Sequence, residues 1–189
     1  TLLLVGLPWL ARRPRLIPAK VSPENCNGCG RCVADCPYEA VRLTGRKAEV
    51  LPERCAACGI CAGACPSSTP FRSVAELVSG IDLPDFTVHD LRRKLQAALP
   101  SDEIVFSCEK SGAGGIALRC LAQLPPSFIE YALRHGARRV RTVGCREGEC
   151  AWRIGLELSA ERLAGAREPH LRANVRAEKL DDAYSFALR

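Results

Sequence analysis

Apolar and polar positions recur with two different periods along this chain of 189 residues. After Thr87, apolar residues return at helical spacing, at Val88, Leu91 and Leu95 and then at Ala98 and Leu99. Such spacing places apolar side chains on one face of a helix, and a threonine directly before it is a favourable N-cap. The pattern therefore predicts a helix that begins after Thr87.

Beyond this helix the pattern alternates between strand and helix. Short apolar and β-branched runs at residues 103–107, 116–119 and 139–143 predict three strands. Between the last two, the Pro-Pro-Ser at residues 125–127 opens an amphipathic helix that ends at Gly136. The alternation predicts a small parallel sheet with crossover helices.

Shorter elements are predicted elsewhere. Residues 40–43 and 48–51 alternate as a hairpin with Gly45 in the turn. Residues 73–78 predict a short helix in a connector, and the charged tail after residue 158 predicts a helix up to Glu168, where Pro169 interrupts it.

The first eleven residues, TLLLVGLPWLA, are apolar and run directly into arginines. Eleven residues are too few to cross a bilayer, which needs about 20 apolar residues. Because the chain contains no methionine with which translation could start, we expect upstream sequence that extends residues 1–11 into a transmembrane helix. Trp9 would then lie at the interface, and Arg12, Arg13 and Arg15 would keep the following domain on the cytoplasmic side. The alternatives are a hydrophobic arm on a partner subunit and a strand of a soluble protein.

Amino-acid composition limits the classes of function that the chain can have. Twelve cysteines with only 5% aromatic residues indicate metal clusters in a reducing compartment. The net charge is +6, but no basic stripe interleaved with aromatic residues is present, which argues against nucleic-acid binding. An acidic partner protein or anionic lipid headgroups fit this charge better.

Eight cysteines form a doubled motif. ENCNGCGRCVADCP is followed 29 positions later by ERCAACGICAGACP, and each copy has the spacing C-x2-C-x2-C-x3-C-P. Three thiolates of one copy can wrap one cluster, while the longer third gap carries the fourth to the neighbouring cluster. The predicted ligands of the first [4Fe–4S] cluster are Cys26, Cys29, Cys32 and Cys65. Those of the second are Cys55, Cys58, Cys61 and Cys36.

Neither a disulfide framework nor zinc explains this doubled spacing well. At every ligand position the stretch resembles the two-[4Fe–4S] bacterial-type ferredoxin family. Gly28, Gly30, Gly59 and Gly63 suit a backbone that must approach cluster sulfur closely.

The other four cysteines follow the predicted sheet. Cys108, Cys120 and Cys145 each come after a predicted strand, and Cys150 follows the loop REGE. Because the carboxyl ends of parallel strands line one crevice, these four thiolates are expected to converge. They predict a [2Fe–2S] cluster. Structural zinc, or four free buried cysteines, are the alternatives.

A second resemblance covers residues 103–152, through IVFSC, LRC, PPSFIEYALRHGARRVRTVGC and REGEC. This stretch is similar to the delta subunit of methyl-viologen-reducing hydrogenase. The resemblance implies electron transfer through a [2Fe–2S] cluster, between a hydrogenase or formate dehydrogenase module and a heterodisulfide-reductase-type flavin subunit. That family usually has another cysteine shortly after the one that corresponds to Cys108, but residues 109–115 of this chain contain none. A cluster would therefore need all four remaining cysteines as ligands.

The expected fold is an α+β ferredoxin-like two-cluster domain followed by a small α/β domain with a parallel sheet. Residues 1–23 are the apolar segment and a proline-rich tether, and residues 24–70 the ferredoxin domain. Residues 71–101 are a connector with a helix, and residues 102–189 the [2Fe–2S] domain with a helical tail.

The sequence shows neither a nucleophile–base pair nor a dinucleotide-binding motif, so nothing in it indicates a substrate site of the chain's own. The leading hypothesis is an electron-transfer subunit of a larger oxidoreductase complex at the cytoplasmic side of a bacterial or archaeal membrane. It would connect a dehydrogenase, hydrogenase or flavin subunit with a quinone- or haem-bearing membrane part. A diffusible cytoplasmic carrier and an iron–sulfur redox sensor are the alternatives.

Overall fold

The computed structural model describes residues 16–146 and 148–172, together with the backbone of residues 184–187. The predicted membrane segment at residues 1–11 and its three arginines lie outside the described residues. Among the helices that are described, none combines the length and the apolar character needed to cross a bilayer.

The cysteine-rich half is built from short elements. Helix α1 spans Arg31–Ala34 and helix α2 spans Ile60–Ala64. Strands β2 (Val41–Thr44) and β3 (Lys47–Val50) pair antiparallel, which confirms the predicted hairpin. Its turn contains Gly45 and Arg46, both with positive φ, the backbone that a tight two-residue hairpin turn requires.

Two further strands close this half. Strand β1 (Lys20–Val21) lies in the predicted tether, and strand β4 (Ile81–Asp82) lies in the predicted connector. They pair antiparallel, so segments on either side of the doubled motif meet. The two-cluster ferredoxin-like fold itself stays a prediction.

Helix α3 spans Val88–Ala98, as predicted. Thr87 and Asp90 form a reciprocal capping box, in which the Thr87 hydroxyl accepts from the Asp90 N–H and the Asp90 carboxylate accepts from the Thr87 N–H. This arrangement satisfies two backbone donors at the helix start.

The second half contains a parallel sheet with the spatial order β6 (Ile116–Leu118), β5 (Ser101–Cys108), β7 (Ala137–Val143) and β8 (Tyr184–Ala187). Strands β5, β6 and β7 confirm the three predicted strands. Helix α4 (Ser127–Arg134) connects β6 to β7 in sequence, and helix α5 (Gly155–Ala164) follows β7.

Strand β8 (Tyr184–Ala187) was not predicted. It pairs parallel to β7, where Val140 is opposite Tyr184 and Val143 is opposite Ala187. Four residues near the end of a charged tail are too few for a hydrophobic period to identify a strand. The strand is recognised only from its pairing with β7.

The predicted helix at residues 73–78 is wrong, because this segment is irregular. Several of its backbone groups form hydrogen bonds with side chains. The buried Arg92 guanidinium donates to the carbonyls of Arg72, Val74 and Ala75, and the Leu77 N–H donates to His89 Nδ1. These bonds replace the helical ones.

The predicted tail helix is also shorter than expected. Helix α5 ends at Ala164 because Gly165 takes the left-handed conformation, with φ of 85°. Glycine adopts this conformation at little cost and commonly ends helices. The Ala166 N–H then donates to the Glu161 carbonyl.

The main hydrophobic core lies between the parallel sheet and helices α3 and α4. It includes side chains that are almost completely buried, namely Leu91, Leu95, Phe106, Leu118, Phe128, Ile129, Ala132 and Val140. A second core surrounds the cysteines of the first half and contains Ala19, Val41, Ile81 and Leu83. The sheet core positions the ends of β5, β6 and β7, after which three of the remaining cysteines follow.

Leu91→Ala tests this core. Leu91 is 1% exposed, so truncation leaves a cavity and should lower the free energy of unfolding by about 2–5 kcal/mol. Val74→Ala, at a position that is 40% exposed, should cost less than about 1 kcal/mol. Urea unfolding of anaerobically prepared protein measures both, and similar losses would contradict this description of the core.

Candidate iron–sulfur centres

Four cysteines from both copies of the doubled motif line a first cavity. They are Cys26, Cys29, Cys32 and Cys65, together with Gly28, Gly30 and Gly80. Cys32 lies in α1 and Cys65 directly follows α2, while Cys26 and Cys29 lie in the loop before α1. Cys32 and Cys65 are buried and Cys29 is exposed, so this cavity opens on one side.

The second cavity has the reciprocal composition. Cys55, Cys58 and Cys61 from the second copy line it with Cys36 from the first. Cys58 and Cys61 are buried, and Ile60, Ala62 and Ala64 of α2 are fully buried beside them. The thiols are thus grouped as the spacing predicts, three from one loop and one from the other. The assignment of these thiols as cluster ligands remains a prediction.

Local backbone geometry explains how each loop surrounds its cavity. Gly30 and Gly59 precede α1 and α2 with φ of 78° and 80°. Because residues with a β-carbon rarely adopt this conformation, glycine at both positions lets the chain turn sharply from loop into helix. The two copies of the motif therefore fold alike.

Burial changes the acidity of these thiols. It raises the pKa of Cys32 to about 12, with a further contribution from neighbouring Cys65 and Cys29, and raises the pKa of Cys58 to about 11. The pKa of Cys61 is also raised well above its usual value by burial. Metal-free, these thiols are protonated at neutral pH, and binding a cation to them must release protons.

The donor set fits [4Fe–4S] clusters. Four thiols face each cavity, and backbone N–H groups already point at two of the sulfurs: Ala40 N–H donates to Cys36 Sγ at 3.3 Å and Ala48 N–H to Cys26 Sγ at 3.4 Å. Hydrogen bonds to sulfur are among the features that set cluster potentials. Gly80 fits as well, because an added β-carbon would lie 3.1 Å from Cys65 Sγ.

The third set of cysteines lies beyond the carboxyl ends of the parallel strands. Cys108 ends β5, and its Sγ lies 3.5 Å from Cys145 Sγ, which follows β7. Cys108 and Cys145 are buried, as is Cys120, and Cys150 is half-buried. The structure thus brings Cys108 and Cys145 into contact.

Electrostatic interactions relate the other two cysteines to this pair. Burial is the main cause that raises the pKa of Cys108 to about 11, and Cys145 and Cys150 add to it. Burial also raises the pKa of Cys120 well above its usual value, with contributions from Cys150, Cys58 and Cys108. Within the described part of the chain, no three His, Cys, Asp or Glu side chains converge as a single metal ion requires.

The second cavity and the third cysteine set adjoin each other, which the sequence did not predict. One contiguous buried cluster contains Cys58 and Ile60 from the first half and Cys120, Ala122 and Leu158 from the second. Tyr38 and Trp152 pack against it. We call this contact region the seam.

Close backbone approach shapes the seam. A β-carbon at Gly63 would lie 2.0 Å from the Ala122 carbonyl oxygen, and one at Gly155 would lie 2.4 Å from Cys120 Sγ. The Trp152 indole N–H donates to the Arg119 carbonyl at 2.7 Å, and the Arg119 guanidinium donates to the Ala57 carbonyl at 3.1 Å. Only glycine fits at positions 63 and 155, because any other residue would add a β-carbon.

Buried charges also cross the seam. Arg162 of α5 and Asp35 after α1 form an ion pair with 1% and 3% of their side chains exposed. Arg162 also donates to the Ala122 carbonyl at 2.7 Å, and half-buried Arg167 donates to the other Asp35 oxygen at 2.8 Å. Burial lowers the pKa of Arg162, and Asp35 opposes this effect. No sequence signal marked these residues, which read as ordinary helix charges.

Comparison with known families agrees with this division of the chain. Residues 18–78 match the family model of the 4Fe-4S dicluster domain. Residues 105–183 match the model of methyl-viologen-reducing hydrogenase, delta subunit. No curated protein matches the chain.

The chain is therefore an iron–sulfur protein of the electron-transfer class. More particularly, its first part is similar to the 4Fe-4S dicluster domain and its second part to methyl-viologen-reducing hydrogenase, delta subunit, which indicates a subunit of a multi-subunit redox complex. Both resemblances stated from the motifs are confirmed.

Gly155→Ala tests the third site. Because the new methyl group would lie 2.4 Å from Cys120 Sγ, the variant should lose the metal content contributed by the third cysteine set and keep that of the first half. Gly114→Ala is the matched control, since a β-carbon at Gly114 meets nothing within 4 Å. Iron, zinc and acid-labile sulfide analysis measures both, and equal contents in the two variants would contradict the role of Cys120.

Proposed function

We propose that this chain is the iron–sulfur electron-transfer subunit of a larger, membrane-associated oxidoreductase complex. It connects a dehydrogenase, hydrogenase or flavin subunit with a quinone- or haem-bearing membrane part. The observation that carries this proposal is the seam, because Cys58 of the second cavity and Cys120 of the third set belong to one buried cluster.

In this proposal the two cavities hold [4Fe–4S] clusters in a two-cluster ferredoxin-like fold, and the third set holds a [2Fe–2S] cluster. The ligands are the three cysteine quartets named from the sequence. Such clusters accept and release single electrons without transferring atoms. Zinc, or no metal, is the alternative content of the third set.

The chain's own residues hold the thiols and exclude water. Ala57 and Ile60 line the second cavity and are almost completely buried, and Leu158 and Trp152 close the seam from the other side. A dry surrounding lowers the local dielectric and thereby strengthens every electrostatic interaction with a charged centre. The exposed Cys29, in contrast, leaves the first cavity accessible from the surface.

The order of segments along the chain supports a location for the protein and an order for its centres. The apolar residues 1–11 and the arginines after them favour the cytoplasmic side of a membrane. The first half follows this segment directly, so it would lie nearer the membrane part, while the third cysteine set would face the soluble partner. The net charge of +6 favours a partner with an acidic surface. Copurification of membrane subunits in detergent would support this location, whereas a monomer that purifies alone would favour a diffusible carrier.

Metal analysis tests the cofactor content. Anaerobically prepared full-length protein should contain about ten irons per chain, from two [4Fe–4S] clusters and one [2Fe–2S] cluster. About eight irons with one zinc would remove the third centre from the proposal.

Cys120→Ser tests the order of the centres. Since Cys120 lies in the seam, the variant should interrupt electron transfer from the soluble partner to the membrane part, while both [4Fe–4S] signals remain in low-temperature EPR. Cys29→Ser is the reciprocal control and should alter a [4Fe–4S] signal while the third centre keeps its own. If quinone-linked activity survives Cys120→Ser in full, the second half docks the partner and lies outside the electron path.

A further inference from the structure

A single guanidinium connects the two halves of the protein at the seam. Arg162 lies in α5 and is 1% exposed. Its Nη2 donates to an oxygen of Asp35 and lies 3.5 Å from the Ile60 carbonyl oxygen, while its Nη1 donates to the Ala122 carbonyl. One side chain from the second half therefore binds two backbone segments and a carboxylate.

Each partner of Arg162 is next to a predicted ligand. Asp35 immediately precedes Cys36, and Ile60 lies between Cys58 and Cys61 in the second cavity. Ala122 follows Cys120 by two residues in a 3₁₀ turn. The guanidinium thus binds the chain directly beside thiols of the second cavity and of the third cysteine set.

Burial of this charge needs a reason. Taking an ion pair out of water costs several kcal/mol per ion, and apolar residues of similar volume often stabilise a fold better. Arg162 Nε is buried and has no hydrogen-bond partner among the described residues. A residue selected only for packing would not combine this cost with an unpaired donor.

A planar guanidinium suits the task of fixing a distance. Its donors are held in one rigid fork, so bonds to three acceptors determine the position of each relative to the others. The small residues Gly63 and Ala122 let the two backbones approach closely at the same place. With Arg162 in place, the seam has little freedom to slide or open.

We propose that Arg162 is a positioning residue that fixes the third cysteine set at a constant separation from the second cavity, the one formed by Cys36, Cys55, Cys58 and Cys61. This inference rests on the proposed function, since it assigns the second cavity, and not the first, as the neighbour of the third centre. Electron transfer between them then depends on a fixed contact and needs no movement of one half against the other.

The experiment compares Arg162→Met with the wild type in the full-length, anaerobically prepared and chemically reduced protein. The readout is the magnetic interaction between the third centre and the second [4Fe–4S] cluster in low-temperature EPR. Arg162→Met should keep its iron content and lose this interaction or spread it over a range of strengths. An unchanged interaction at full iron content overturns the proposal.

Two further variants separate positioning from general stability. Arg162→Lys keeps the charge but lacks the rigid fork, so it should show only part of the wild-type magnetic interaction. If Arg162→Met does not assemble, Arg162→Lys tests the positioning role by the same EPR measurement. In that case, a magnetic interaction of wild-type strength in Arg162→Lys overturns the proposal. Arg138→Met removes the same charge from an ion pair whose side chains are 83% and 89% exposed, and should leave the interaction unchanged.

Failure of the proposed function is visible separately, in the wild type. If the wild type lacks a paramagnetic third centre, the proposed cofactor content is wrong, and hydrogen–deuterium exchange then tests Arg162. Arg162→Met should raise deuterium uptake in both Ile60–Ala64 and Leu121–Gln123, which Arg162 joins. Uptake that stays at the wild-type level in these segments overturns the proposal.

Discussion

Each of the two cysteine-lined cavities in the first half brings four sulfur atoms from two separate segments of the chain together, and much of the first half of the structure follows from this constraint. Each copy of the motif, a loop and the helix that follows it, supplies three thiols to one cavity and a fourth thiol to the other cavity. Neither copy can therefore form its site alone. Side chains of the β2–β3 hairpin and of the β1–β4 pair pack against cysteines of both copies.

This dependence has an energetic consequence. The first half is small, its helices are four and five residues long, and many of its buried side chains are cysteines. Such a unit buries too little apolar surface to be very stable without bound clusters. The second half has an ordinary hydrophobic core between sheet and helices, so the two halves differ in what holds them together.

The seam joins these differently stabilised halves. Arg162 and Asp35 supply a buried ion pair, Gly63 and Gly155 permit close approach, and Cys58 and Cys120 lie within one buried cluster. Because the buried ion pair and the close backbone contacts require one particular arrangement, the seam fixes how the two halves are placed relative to each other. The protein thus has the character of one body with three neighbouring thiol sites, which suits an electron-transfer subunit.

The amino-acid sequence determined those features that depend on short-range spacing. The C-x2-C-x2-C-x3-C-P motif groups the thiols as the two cavities do, and helical and strand periodicity located α3, α4 and the first three strands of the parallel sheet. The placement of Cys108, Cys120 and Cys145 after these strands followed from sheet topology. Tertiary structure decided the rest. Residues 73–78 do not form the predicted helix, and the Arg92 side chain of α3 binds the carbonyls of Val74 and Ala75 instead; β8 pairs with the edge of β7. Arg162, Asp35 and Gly155 carry no recognisable pattern, since their roles depend on which backbone lies opposite them, and that is a property of the folded chain alone.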